Sequence, residues 1–70
     1  MNQTQDPRIR ASIERCLREY GPMTIPEIEV ALDLTRGKVD TAIRHSRNIR
    51  PTTIGVKVHW YFRPDPEDRP

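Results

Sequence analysis

Seventy residues, 34% of them hydrophobic and 31% charged, suffice for one compact unit and exclude a multidomain enzyme. A domain of this size buries only about 60% of the surface its unfolded chain exposes, which leaves little room for a deep, dry catalytic pocket and favours surface binding. The formal charge of +2 hides an uneven distribution: residues 36–63 carry seven Lys and Arg against Asp40 alone, a net +6, whereas residues 1–35 carry four Arg against six acids.

That basic stretch is what a polyanion-binding face requires. The longest apolar runs are a few residues, far short of the roughly 20 that cross a bilayer, and no leading apolar stretch resembles a signal peptide. The single Cys16 has no partner for an internal disulfide, in keeping with a reducing compartment. The expectation is a cytoplasmic protein with no membrane association.

Residues 1–5 are polar and aperiodic, and residues 63–70 are rich in proline and acids, so both read as tails flanking a folded domain over 6–62. Asp6 caps a first helix with Pro7 at its first position, where a missing amide hydrogen costs nothing. Ile9, Ile13, Cys16, Leu17 and Tyr20 form its apolar stripe, and Gly21-Pro22 stops it. Cys16, on that stripe, reads as a small core residue and not a nucleophile.

Thr24 and Glu27 form the T-x-x-E capping box of a second, short helix whose buried face is Ile25, Ile28, Ala31 and Leu32. Asp33 and Leu34 interrupt it. Thr35 caps a third helix, from about Arg36 to Ser46 or Arg47, with Val39, Ala42 and Ile43 inward and Arg36, Lys38, Thr41, Arg44 and His45 outward. Asn48 can end that helix in the left-handed conformation.

Beyond it the period becomes two: Val58, Trp60 and Phe62 alternate with Lys57, His59 and Tyr61, which makes a strand with one buried face. Ile49 and its neighbours supply an earlier short strand, with Pro51 at an edge or an end and Thr52 to Val56, containing Gly55, as the hairpin tip. The expected class is α+β, a three-helix bundle with a helix-turn-helix followed by a C-terminal two-stranded β-hairpin.

The segment IEVALDLTRGKVDTAI, from Ile28 to Ile43, is the informative part: a short capped helix, a turn, a Thr cap and a helix with Val39 and Ile43 inside is the helix-turn-helix arrangement, which presents its second helix to the DNA major groove. GPMTIPEIEVALDLTRGKVDTAI, followed by RPTTIGVKVHWYF as a wing, resembles the winged helix-turn-helix regulators of bacteria and phages over residues 7–62. Two positions depart from that family's pattern. Asp33 stands where the turn usually has Gly, a substitution Asp tolerates because it visits positive φ more readily than most residues. Glu29 stands where a small residue normally lets the helices touch.

The resemblance implies double-stranded DNA binding, with the third helix in the major groove and the hairpin against an adjacent minor groove or the backbone. Arg36, Lys38, Thr41 and Arg44 project from the helix that the resemblance makes the reading helix, where Arg can pair bidentately with guanine. His45 on the same side is a surface group or a phosphate donor. Arg47, Arg50, Lys57 and Arg63 suit phosphate contact, and Thr35 marks a helix N-terminus whose amides suit an anion. Gly37, in the first turn of that helix, fits a close approach of backbone to DNA. Asp40 either repels phosphate or orients Arg36 or Arg44.

Trp60 reads as core beneath the hairpin, and Tyr61, opposite, as a surface residue or phosphate donor. No cofactor is expected: His45 and His59 lack any matching Cys or carboxylate spacing for zinc, and no nucleophile triad, glycine-rich phosphate loop or carboxylate pair argues for an enzyme. The alternative is a winged-helix adaptor for a protein partner, with Tyr20, Val30 and Tyr61 as apolar contact points. A homodimer, should the DNA target be palindromic, would use Val30 beside the second helix.

Overall fold

The computed structural model describes residues 6–64: helices α1 (Pro7–Tyr20), α2 (Ile25–Leu32) and α3 (Arg36–His45), then strands β1 (Ile49–Ile54) and β2 (Lys57–Phe62). The tail expected at 1–5 lies outside these residues, and so does the one expected at 63–70 except for Arg63 and Pro64. None of the described helices is long and apolar enough to cross a membrane.

Each helix begins on a side chain that satisfies an amide the helix leaves over. The Asp6 carboxylate accepts from the Arg8 N–H at 2.9 Å, with Pro7 next in line. The α2 box is reciprocal: Thr24 Oγ1 accepts from the Glu27 N–H at 3.3 Å, and the Thr24 N–H donates to Glu27 Oε1 at 2.8 Å. That Thr24 amide, above all, holds the Glu27 carboxyl below its ordinary range.

The ends are as local as the beginnings. Gly21 takes φ 85° and donates its N–H to the Leu17 carbonyl at 2.9 Å, closing α1. Asp33 takes φ 55°, ψ 51° after α2, the left-handed turn for which a glycine is the commoner residue. It is the sole described non-glycine residue with positive φ. Leu34 donates to the Glu29 carbonyl at 3.0 Å across this turn, and Thr35 then caps α3 by accepting from the Lys38 N–H at 3.4 Å.

The core lies where the three helices meet the base of the hairpin. Ile13 and Leu17 of α1, Ile28 of α2, Val39, Ala42 and Ile43 of α3, and Ile49 of β1 form one buried cluster. Ile9, Met23, Ile25, Leu32, Leu34, Trp60 and Phe62 pack around it, half-buried. Cys16 is buried as well, its thiol 3.7 Å from the Met23 sulfur, and burial, with the nearby Glu19 charge, pushes its pKa up and keeps it protonated.

Several details differ from the sequence expectations. α3 stops at His45 and Ser46 is extended, so Arg47 lies in a connector, and Asn48 has no left-handed conformation. The cause is long-range: Ser46 Oγ donates to Glu14 Oε2 of α1 at 2.6 Å and accepts from the Asn48 N–H at 3.1 Å. β1 runs on to Ile54, leaving only Gly55 and Val56 as the turn. Gly55 has φ 65° and Val56 does not share the positive sign, the pattern of a type II′ hairpin turn.

Tyr20 is 74% exposed and Ala31 is exposed; instead of entering the core they line an open groove between α1 and α2, together with Cys16, Met23 and Leu32. Ala31 sits on the flank of an arc that Ile25, Ile28 and Leu32 already fill. Val58 is about half exposed because the hairpin has by then left the body, while Trp60 and Phe62, nearer its base, pack down.

A bridge from Met23 to Trp60 holds that base. Trp60 donates to the Met23 carbonyl at 2.7 Å, and the Met23 N–H returns to the Trp60 carbonyl at 2.9 Å. With both Trp60 groups turned to Met23, its partner Pro51 in β1 has no bond to make there, so a residue without an N–H is tolerated. The ladder also continues one step past β2: Arg63, expected to begin a loose tail, donates its N–H to the Asn48 carbonyl.

Candidate nucleic-acid interface

α3 packs through Val39, Ala42 and Ile43 against α1 and α2, and the side turned away from those residues is uncovered. At 100° per residue, Gly37, Thr41 and Arg44 fall along the middle of that outer side, with Lys38 and His45 on one flank and Arg36 and Asp40 on the other. Arg36, Lys38, Arg44 and His45 are exposed, and Thr41 is half-buried.

Two members of this group, Arg44 and His45, are oriented by contacts one turn back. The Arg44 Nε lies 3.3 Å from Asp40 Oδ2, which chooses between the two roles considered for Asp40 in favour of orienting Arg44. The pair is solvent-exposed and contributes little to stability. Its effect is to hold a guanidinium whose remaining N–H groups stay available. His45 is tied similarly: its Nδ1–H donates to the Thr41 carbonyl at 2.9 Å, so Nε2 faces outward.

At the N-terminus of α3, Thr35 is exposed and its hydroxyl is engaged with the Lys38 amide. The Arg36 and Gly37 amides therefore remain as the open donors of the first turn. Gly37 needs no glycine for its own conformation, and an added methyl would meet nothing within 4 Å. Gly37→Ala is therefore expected to stabilise the protein by about 0.5–1 kcal/mol in denaturant unfolding. Should the same variant bind duplex DNA more weakly, the missing side chain is there for a close approach of the backbone.

On the hairpin, residues paired across the ladder share a face. Register pairs Arg50 with Tyr61, Thr52 with His59 and Ile54 with Lys57, so these six lie on the outer face, opposite the one that carries Ile49, Trp60 and Phe62 to the core. Arg50 and Lys57 are exposed on it; Arg47 is exposed in the connector from α3. His59 is bonded locally, its Nδ1–H donating to the Lys57 carbonyl at 3.1 Å.

All seven Lys and Arg of residues 36–63 are exposed, and Arg36, Lys38, Arg50 and Lys57 make no salt bridge with another described residue. The sequence missed two residues that shape this surface. Glu14 fixes the end of α3 through Ser46, and Met23 anchors the hairpin base through Trp60. Neither carries a local signal, since a single long-range hydrogen bond and a one-residue bridge leave no periodicity to read. No family profile, curated protein or solved structure matches this chain.

Proposed function

We propose that this chain is a double-stranded DNA-binding module of the winged helix-turn-helix type, acting as a small transcriptional regulator or architectural factor of the kind found in bacteria and phages. α3 enters the major groove, where Arg36, Lys38, Thr41 and Arg44 meet base edges. Arg47, Arg50 and Lys57 contact phosphates, and the N-terminus of α3 at Thr35 offers its amides to one more.

The observation that carries this reading is the segregation of charge: seven exposed cations against Asp40 alone over residues 36–63, with Asp40 itself engaged with Arg44. A solubilising surface gains nothing from such a separation, whereas a polyanion partner releases a condensed counterion for each phosphate neutralised.

Equilibrium binding to duplex DNA over a salt series tests it. Four phosphate contacts predict a slope of about −3 to −4 in log K against log salt, or roughly a hundredfold loss of affinity between 50 and 200 mM. An affinity that stays flat over that range removes the proposal.

The exposed Tyr20, and Val30 at 84% exposure, favour a second reading in which the fold is an adaptor for a protein partner or a second copy of itself. A partner retained after nuclease treatment, with no duplex shifted at any salt, would select it. A strict monomer by sedimentation, on and off DNA, would dispose of the self-association through Val30.

A further inference from the structure

The hairpin carries apolar surface where the core makes no use of it. Ile54, opposite Lys57, lies on the outer face of the sheet, and Val58, opposite Thr53, lies on the inner one. Val56 stands between them in the two-residue turn, 96% exposed, with Ile54 and Val58 each about half exposed. β-propensity accounts for the two strand residues. It does not account for Val56, because hairpin turns draw on Gly, Asn, Asp and Ser.

An apex with one aliphatic side chain on each face and another at its end has the form of a wedge. It is also firmly held: Gly55 makes the tight turn, and pairing reaches up to Ile54 and Lys57, so no loose loop separates the tip from the ladder.

Charge and size select what it enters. No acid occurs between Asp40 and Asp65 and Lys57 adjoins Val56; with Glu27 of α2 the acid whose carboxyl feels the charge of Lys57 and His59, the charge at the tip still suits a polyanion. Three exposed aliphatic side chains offer far fewer methylenes than a single acyl anchor, which by itself binds a bilayer only marginally. A base step asks less, since the surrounding phosphate contacts supply the affinity and the side chain has only to part the stack.

We infer that Ile54, Val56 and Val58 form an apolar wedge that enters between stacked base pairs from the minor groove, partly unstacks one step and bends the duplex. The inference rests on the DNA-binding reading above and adds a deformation to it. It makes flexible pyrimidine–purine steps the preferred place for the hairpin, a selectivity obtained without base-edge hydrogen bonds.

The test is binding of the full chain to a short duplex with a central TA step, carrying 2-aminopurine at that step and a donor–acceptor dye pair at its ends. The wild-type chain should raise 2-aminopurine emission several-fold and shorten the end-to-end distance. Val56→Ser should bind several-fold more weakly with the same salt slope, and lose most of both signals. Val56 lies outside the core, and Ile54→Thr, which keeps a β-branched strand residue, should reduce the signals in the same direction.

Salt-dependent binding without a rise in emission, or an equal rise from Val56→Ser, overturns the wedge and leaves the DNA-binding reading standing. An absence of salt-dependent duplex binding overturns both. So does attachment to phosphatidylserine vesicles, in place of DNA, that Val56→Ser abolishes.

Discussion

Ile28→Ala is expected to lower the melting temperature by roughly 15–25 °C, the equivalent of about 3–4 kcal/mol for a domain of this size. Ile28 is wholly buried and is the one residue of α2 in that state. Eight residues are too few to hold a helix in water by propensity, so the α2 end of the helix-turn-helix depends on docking through this side chain. Shortening it removes transfer free energy and leaves a cavity that the packed neighbours on α1 and α3 fill only in part.

A small single-core domain has few kcal/mol in hand, so the variant should be substantially unfolded near physiological temperature. Val30→Ala, two positions away and 84% exposed, should change stability by no more than about 0.5 kcal/mol. Thermal melts followed by circular dichroism compare the two. Equal melting temperatures would mean that α2 docks through some other surface.

The second large effect rests on the proposed DNA binding and separates reading from holding. Arg44→Ala should cost the preferred duplex roughly 10- to 100-fold in affinity and relax the choice of base at one position, the loss expected of a bidentate guanine contact. The Asp40 carboxylate 3.3 Å away orients that guanidinium in the free chain, so on the proposed reading less freedom is lost on binding. Lys57→Ala should instead weaken every duplex alike and reduce the magnitude of the salt slope by about one, since an exposed ammonium on the hairpin sees phosphate and not sequence.

Selection of bound sequences from a random duplex pool, repeated with each variant over a salt series, distinguishes the two roles. Identical consequences from both substitutions would contradict the division of labour between α3 and the hairpin.

Most of the architecture was legible in local chemistry. Asp6-Pro7, the Thr24–Glu27 box and Thr35 start helices through bonds that span two or three residues, and they start them where the sequence places them. Gly21 and Asp33 end helices with their own backbone conformations. The stripes through Ile13, Leu17, Ile28, Val39 and Ile43 name the centre of the core because a helix turned toward its neighbours can bury only one arc. The outward set on α3 follows from the same geometry with the sign reversed.

Periodicity says which side of an element is inward, but not how far along its length the body extends. Tyr20 and Val58 sit on apolar stripes and still end up exposed, one beside an open groove and the other past the edge of the domain. The end of α3 is set by Glu14, 32 residues away from Ser46, and the seating of the hairpin by Met23 reaching Trp60.

The order of residues alone put the basic stretch after Thr35 and turned Lys38, Arg44 and His45 to the outer side of the helix that follows. Tertiary structure alone decided that β1 continues to Ile54, which turns an expected five-residue loop into a two-residue apex with Val56 at its end. The physical reason is range. Caps and amphipathic arcs are short-range properties of the chain, whereas strand length, register and the limit of burial depend on partners that only folding brings together.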